Sequence, residues 1–306
     1  MSEIGFGLAA VGRPAYINLG HGDDFADRSV DGMERAAHVV LDAAYDGGVR
    51  RFDAARSYGR AEAFLASWLE RKGLGRDEVF VSSKWGYSYT GAWRVDAERH
   101  EVKELSAAQL RRQWSETAAL LGEHVRLYQI HSATIESGVL DDPAVRAELA
   151  ALRATGVLIG LTVTGTDQAA TIERALEGGG FDAVQATWNL HERSAAGALA
   201  RAHAAGLVVY VKEALANGRL TARGADAELA TAARERGAAP DQIALAAALA
   251  QPWADVVLSG AATVEQLESN LRARSVAWED ELEQRLAGLE EEPGAYWERR
   301  SELAWN

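Results

Sequence analysis

The chain has 306 residues and 48% of them are apolar, so it can bury a large hydrophobic core. It contains no cysteine, which excludes disulfides, zinc–thiolate sites and thiol nucleophiles. Its net charge of −13, without a clustered basic segment, argues against nucleic-acid binding. No apolar run reaches the roughly 18 residues of a membrane span, and no secretory signal pattern is visible, so we predict a cytoplasmic protein.

Short apolar runs alternate with amphipathic segments along the chain. Near the N-terminus, Gly5, Phe6 and Gly7 belong to a first strand or to the floor of an N-terminal hairpin. Further predicted strands cover residues 49–53, 78–83, 126–131, 158–163, 183–186, 207–211 and 255–259. Predicted helices, with apolar residues at three- and four-residue spacing, cover residues 33–45, 61–72, 106–121, 142–154, 167–176 and 194–205.

This alternation predicts parallel strands joined by right-handed crossovers. About eight strand–helix units fit the length, which favours a closed (β/α)8 TIM barrel over an open doubly wound sheet. The open sheet would carry a G-x-G-x-x-G turn after its first strand, and residues 5–7 supply only part of it. No low-complexity linker is visible, so we predict one domain over residues 1–306, with residues 91–105 as a long loop or lid.

Ionisable side chains stand where three predicted strands end. Asp53 ends the strand 49–53, Lys84 follows the strand 78–83, and His131 ends the strand 126–131. Tyr58 lies five residues beyond Asp53, in the loop that leads to the next helix. Because barrel active sites lie at the carboxyl ends of the strands, these four side chains are expected at one mouth.

These residue types suit proton delivery to a carbonyl group that receives a hydride. A free tyrosine is a poor acid, with a pKa of about 10, and a nearby ammonium lowers that pKa. We therefore assign Tyr58 as proton donor, Lys84 as the group that lowers its pKa, Asp53 as the partner of Lys84, and His131 as a donor that orients the carbonyl.

Each of the four residues also has a purely structural explanation. Asp53 could cap the following helix, Lys84 could be a surface lysine, Tyr58 could pack over a loop, and His131 could be a hydrogen-bonded core histidine. Only their joint order and their placement at strand ends favour the active-site interpretation.

Residues 52–59 (Phe-Asp-Ala-Ala-Arg-Ser-Tyr-Gly), with Glu62, resemble the signature of the aldo-keto reductases. Lys84 and His131 match that family's other two catalytic residues in order and context. The resemblance implies a (β/α)8 barrel with a C-terminal tail over its mouth. It also implies NAD(P)H-dependent interconversion of a carbonyl and an alcohol, with the cofactor bound without a G-x-G-x-x-G turn.

The resemblance also implies a set of cofactor-binding residues. Three of them depart from the family: Thr162 replaces a serine, Ser259 replaces a common proline, and Lys212 stands where an aromatic ring normally stacks on nicotinamide. The family's habit points to NADP(H), while the absence of basic residues at Ala262 and Thr263 keeps NAD(H) as the alternative. The implied residues are Thr162, Gln185, Lys212, Leu215, Ser259, Gly260, Ala261, Thr263, Gln266 and Asn270.

The substrate side is less defined. A sugar or a small aldehyde or ketone suits an aromatic wall, for which the candidates after the third strand are Trp85, Tyr87, Tyr89 and Trp93. Ordinary loop packing explains these four residues equally well. Trp188 and Trp297 are further substrate candidates. A cofactor-binding regulatory or sensor protein with weak turnover is the alternative function. No His-x-His pair follows the early strands, so no metal site is predicted. The oligomeric state stays open.

Overall fold

The computed structural model describes residues 2–224 and 226–306. The strands are Glu3–Gly7 (β1), Arg51–Asp53 (β2), Phe80–Trp85 (β3), Tyr87–Tyr89 (β4), Glu101–Lys103 (β5), Val125–Ala133 (β6), Leu158–Val163 (β7), Ala183–Thr187 (β8), Val208–Lys212 (β9) and Val256–Ser259 (β10).

The helices are Val30–Asp46 (α1), Ala61–Lys72 (α2), Ala107–Leu121 (α3), Pro143–Ala154 (α4), Gln168–Gly178 (α5), Ala196–Ala204 (α6), Ala227–Glu235 (α7), Pro240–Leu249 (α8), Val264–Arg272 (α9), Asp280–Leu286 (α10) and Pro293–Ser301 (α11). None of these helices is both long and apolar enough to cross a membrane, in the residues that the structure describes.

Eight parallel strands close into a barrel in the order β1, β10, β9, β8, β7, β6, β3, β2. The predicted (β/α)8 fold is therefore confirmed. Glu3–Gly7 is the first barrel strand and not a hairpin floor, because it pairs in parallel with both β2 and β10. The two remaining strands, β4 and β5, form a small antiparallel sheet in the connection between β3 and α3.

The apolar core has two parts. The larger part lies between the barrel and its surrounding helices, and the hydrophobic faces of α1 and α2 contribute to it. The smaller part fills the barrel interior around Leu127, Tyr210 and Val256. The interior is thus a packed core, and only its carboxyl-terminal end is left open for a site.

Side-chain caps set where several helices begin. In each case a Ser, Thr or Asp oxygen accepts a backbone N–H of the first turn, which satisfies a donor that the helix itself cannot pair. These caps are Ser29 for α1, Ser106 for α3, Asp142 for α4, Asp226 for α7 and Thr263 for α9.

The C-terminal tail crosses the barrel mouth. Helix α11 is tied to the loop after β8 through Tyr296, whose hydroxyl accepts a hydrogen bond from Asn189 Nδ2 at 3.0 Å. Beyond α11, Asn306 donates through Nδ2 to the carbonyl of Asn18 at 3.0 Å, in the loop after β1. The tail therefore closes over the carboxyl ends of the strands.

Candidate active site

A cavity of about 620 Å³ opens at the carboxyl ends of the strands. Its wall includes residues from separate strands: Asp53 of β2, His131 of β6, Gln185 of β8, Lys212 of β9 and Ser259 of β10. The parallel barrel therefore brings together side chains that are far apart in sequence, as expected for this fold.

Asp53 and Lys84 form a buried ion pair at the base of the cavity. Lys84 Nζ donates to a carboxylate oxygen of Asp53 and, at 2.9 Å, to the carbonyl of Ala54. The other carboxylate oxygen accepts hydrogen bonds from Ser82 Oγ at 2.6 Å and from Gln129 Nε2 at 3.2 Å. Asp53 is thus held by three partners, and it does not serve as a helix cap.

The loop carrying Tyr58 is held in place by buried polar contacts. Arg56 pairs with Glu62, whose carboxylate also accepts hydrogen bonds from Ser83 Oγ at 2.5 Å and Thr117 Oγ1 at 2.8 Å. Glu62 is 2% exposed, so these bonds satisfy a charge that water cannot reach. The loop 54–60 therefore has little freedom to move Tyr58.

The same loop packs closely against the loop that follows β1. The Arg60 N–H donates to the carbonyl of Gly12 at 2.7 Å. A Cβ on Gly12 would lie 2.6 Å from the Cβ of Ala61 and would also overlap the carbonyl of Tyr58, so the approach requires glycine. Gly59, at φ +62°, is constrained in the same way from the opposite side.

Tyr58 and His131 face each other at the cavity. Their ring centroids are 5.5 Å apart at an interplanar angle of 84°, and Lys84 Nζ lies 4.8 Å from the centre of the phenol ring. Burial raises the pKa of Tyr58 well above its usual value, and the charge of Asp53 adds to the effect. Desolvation therefore outweighs any lowering of this pKa by Lys84, and the predicted role of Lys84 stays a prediction. Tyr58 consequently keeps its proton at neutral pH.

His131 is neutral at the same pH. Burial lowers its pKa well below the usual value, and the charges of Lys84 and Lys212 lower it further. Ser132, directly after it, adopts a left-handed φ of 56°, and its N–H donates to Thr162 Oγ1 at 2.7 Å. Thr162 thus holds the sharp turn that follows His131.

Arg13 is a buried cation beside Tyr58 that sequence reasoning missed. Its guanidinium carbon lies 5.3 Å from the ring centre of Tyr58 and 4.7 Å from that of Trp305, and its Nη1 donates to Glu101 at 2.7 Å. Arg13, Tyr16, Tyr87, Glu101 and Trp305 all line the cavity. Arg13 could have been proposed from the sequence because it lies in the loop after β1, and every loop at the carboxyl end of a barrel strand can reach the mouth.

Lys212, Glu213 and Arg300 form a second charged cluster. Arg300, from α11, holds both carboxylate oxygens of Glu213, with Nε donating at 2.8 Å. Burial alone would raise the pKa of Glu213, but the charges of Arg300 and Lys212 lower it to about 2. Burial lowers the pKa of Lys212 to about 8, and Glu213 opposes that change. The cluster ties the tail to the end of β9.

Several predicted cofactor residues lie together on the cavity wall. They are Gln185, Lys212, Leu215, Ser259, Gly260, Ala261, Gln266 and Asn270. Gln185 Nε2 is buried without a hydrogen-bond partner in the described part of the chain, which leaves a donor for a carboxamide such as that of nicotinamide. A Cβ on Gly260 would meet nothing within 4 Å, so the backbone there is open to a ligand. These residues fit a nicotinamide dinucleotide.

Two predicted cofactor residues do not line the cavity. Thr162 lies one layer too deep in the barrel, where its hydroxyl accepts the N–H of Ser132; Thr164, two residues later, lines the cavity instead. Thr263 is the N-cap of α9 and accepts the N–H of Gln266 at 3.3 Å.

The four tryptophans among the predicted substrate residues lie outside the lining of this cavity. Trp85 ends β3 and points away from Lys84 into the helix-facing core, because successive strand residues alternate sides. Trp93 donates to the carbonyl of Arg28 at 2.7 Å, and Trp188 packs on Trp253.

The fourth tryptophan, Trp297, packs between charges of the tail cluster. Its ring centre is 5.4 Å from the guanidinium carbon of Arg300 and 5.9 Å from Lys212 Nζ. The aromatic part of the cavity wall is formed by Tyr16, Tyr58, Trp305 and Tyr87, of which Tyr87 belongs to the predicted aromatic wall. Within residues 2–224 and 226–306, no group of three or more His, Asp or Glu side chains is placed to hold a metal ion.

The barrel fold is shared with solved structures of other proteins. The structure superposes on aldo-keto reductase AKR11C1 from Bacillus halodurans, in its holo form, with a TM-score of 0.71 and 20% identity over 94% of this chain and 91% of the other. It superposes on the glycerol dehydrogenase AKR11B4 from Gluconobacter oxydans with a TM-score of 0.71 and 19% identity, over 94% and 90% of the two chains. These identities show the shared fold alone.

Sequence comparison shows the family. Aldo-keto reductase str7 from Strobilurus tenacellus is 32% identical over 127 residues, which is 40% of this chain and 33% of that protein. The chain therefore matches about a third of the length of this curated relative. The family model of the aldo/keto reductases matches residues 3–291, nearly the whole chain. The protein belongs to the aldo/keto reductase family, in which oxidoreductase activity on carbonyls or alcohols is expected.

Proposed function

We propose that the protein is an NAD(P)H-dependent oxidoreductase that interconverts a carbonyl compound and an alcohol, with Tyr58 as proton donor and acceptor. One observation carries the proposal. Tyr58 and His131 face each other across 5.5 Å at the wall of one cavity, and the Lys84–Asp53 ion pair is buried directly beneath them.

When bound, a nicotinamide cofactor supplies or accepts the hydride. The Tyr58 hydroxyl then gives its proton to the carbonyl oxygen, where negative charge develops. Neutral His131 donates an N–H hydrogen bond to the same oxygen and orients the carbonyl. The ammonium of Lys84, 4.8 Å from the centre of the phenol ring, stabilises the phenolate as the proton leaves.

The charges at the far end of the cavity favour NAD(H) over the NADP(H) that the family's habit suggests. Asp24, Asp241 and Glu265 all line this end. Asp24 accepts a hydrogen bond from Gln266 Nε2 at 2.8 Å and pairs with Arg223, so the local guanidinium is already neutralised. A 2′-phosphate would meet carboxylates there instead of free cations. We expect tighter binding of NADH than of NADPH.

The reacting end of the cavity suits a small hydroxylated carbonyl compound or a sugar. The rings of Tyr16, Tyr87 and Trp305 offer apolar faces, while Arg13 and Glu101 offer charged hydrogen-bonding groups between them. The Gluconobacter oxydans neighbour carries the name glycerol dehydrogenase, and polyols accordingly belong in the substrate panel.

The test is the Tyr58→Phe variant, which removes only the phenolic hydroxyl. We expect kcat/KM on a panel of aldehydes, sugars and polyols to fall by about 10²- to 10⁴-fold, while cofactor binding, followed by tryptophan fluorescence, persists. Tyr89→Phe is the matched control, because Tyr89 lies on β4 outside the cavity lining. Full turnover in Tyr58→Phe would remove Tyr58 from the mechanism.

A cofactor-binding sensor with weak turnover is the second candidate. The raised pKa of Tyr58, which makes the phenol a weaker acid than free tyrosine, is the observation that favours it. The wild-type protein separates the two functions: tight cofactor binding without turnover of any panel member supports the sensor, and binding with turnover supports the enzyme.

A further inference from the structure

Lys212 places a cation on the cavity wall at the end of β9. In the described part of the chain its Nζ donates one hydrogen bond, to Thr187 Oγ1 at 2.8 Å, although an ammonium can donate three. Glu213 Oε1 lies 3.8 Å away, but Arg300 already holds both oxygens of that carboxylate. Two cations therefore share one carboxylate, and the cluster keeps a surplus positive charge.

The other groups that face Lys212 leave this charge in place. Lys84 of β3 is a second cation, whose own charge is matched by Asp53. His131 of β6 is neutral, and it senses the positive charge of Lys212 as a lowering of its pKa. From α11, the Trp297 ring lies 5.9 Å from Lys212 Nζ and brings no formal charge.

We propose that Lys212 makes the protein discriminate between the oxidised and reduced forms of its nicotinamide cofactor. The inference rests on the proposed function, because a ring that exchanges hydride with a carbonyl held at Tyr58 and His131 must occupy this part of the cavity. The unpartnered amide of Gln185, on the neighbouring strand, marks the same region. The oxidised ring carries a positive charge and the reduced ring is neutral, so Lys212 repels only the oxidised form.

This repulsion favours one direction of the reaction, the reduction of the carbonyl. Carbonyl reduction consumes one hydride and one proton and yields the alcohol and the oxidised cofactor. The charge of Lys212 therefore assists release of the oxidised cofactor after reduction and opposes its entry for alcohol oxidation. Because the pKa of Lys212 is about 8, the discrimination is present below that pH and is lost as Lys212 becomes neutral above it.

The test measures binding, without substrate. Dissociation constants of the oxidised and reduced cofactor are determined by quenching of tryptophan fluorescence at pH 6.5 and pH 9.5. Two unit charges about 4 Å apart interact by about 4 kcal/mol at an effective dielectric constant of about 20. Glu213 neutralises part of the charge of Lys212, so we expect that charge to raise the dissociation constant of the oxidised cofactor by about 10- to 100-fold. We expect the ratio of the oxidised to the reduced dissociation constant to be larger by that factor at pH 6.5.

Variants isolate the charge. Lys212→Met should lower the ratio about 10- to 100-fold at pH 6.5 and abolish its pH dependence. Lys212→Arg should keep the high ratio at both pH values, since arginine stays charged. Lys72→Met is the matched control, because Lys72 lies on α2 and pairs with Asp42 at 3.5 Å; it should behave as the wild type.

The outcomes are distinct. Binding of both cofactor forms with the same ratio in the wild type and in Lys212→Met at pH 6.5 overturns this inference and leaves the proposed function standing. Where Lys212→Met does not fold, Lys212→Gln removes the same charge and decides the matter. Failure of both forms to bind at either pH overturns the proposed function and this inference together.

Discussion

Lys84→Met tests whether the ion pair under the cavity behaves as a buried charge pair. Lys84 is 1% exposed and Asp53 is 3% exposed, so the substitution leaves a carboxylate without its cation in a place that water does not reach. Loss of one partner from a buried pair costs about 3–5 kcal/mol of unfolding free energy. Ser82 and Gln129 still donate to one oxygen of Asp53, so we expect a loss near ~3 kcal/mol, the lower end of that range.

The assay is urea unfolding at pH 7.5, followed by tryptophan fluorescence, on a double-mutant cycle. Asp53→Asn combined with Lys84→Met should recover most of the loss, because the amide keeps the two hydrogen bonds and no charge stays buried. Arg71→Met is the matched control, because Arg71 pairs with Asp42 at 2.8 Å while its side chain is 45% exposed. We expect this variant to lose less than about 1 kcal/mol of unfolding free energy. A loss below about 1 kcal/mol for Lys84→Met as well would refute the reasoning.

Two further predictions follow from the packing and burial. Gly12→Ala should lower kcat/KM at least about 10-fold, because its Cβ would overlap the carbonyl of Tyr58 and lie 2.6 Å from the Cβ of Ala61. Gly288→Ala is the control, because a Cβ on Gly288 would meet nothing within 4 Å. Equal activity of the two variants would contradict the prediction. Burial lowers the pKa of His21 to about 4, so the folded state resists protonation that the unfolded chain accepts below its ordinary pKa of 6.5. Stability should therefore fall by up to about 3 kcal/mol as the pH drops from 6.5 to 4. In urea unfolding at pH 6.5 and 4.5, His21→Phe should lose less stability than the wild type between the two pH values. An equal loss in both proteins would contradict the prediction.

Much of the barrel could be predicted because its elements repeat a simple pattern. The strand predicted at 158–163 and the helix predicted at 61–72 have the observed bounds, Leu158–Val163 and Ala61–Lys72. Helix α8 was not predicted, because seven of its ten residues are buried and an all-round apolar helix shows no amphipathic period. The α10 and α11 helices of the tail were missed for a different reason, since they are short and largely polar.

The residues of the candidate site also differ in how far they could be predicted from the sequence. Asp53, Tyr58, Lys84 and His131 could be proposed from the sequence because each lies near the carboxyl end of a strand, and a parallel barrel brings all such ends to one mouth. The roles of these four residues, and those of the cofactor residues, stay predictions until they are measured.

Local pattern and composition were enough to predict the repeating strand–helix units, the exclusion of thiol chemistry and the four residues near the strand ends. The electrostatics of the cavity, in contrast, depend on how distant parts of the chain pack together. Arg13 and Arg300 lie 287 positions apart in the chain yet line one cavity with Tyr58. Burial, which no local pattern reports, raises the pKa of Tyr58 and lowers that of Lys212, because desolvation depends on everything packed around a group.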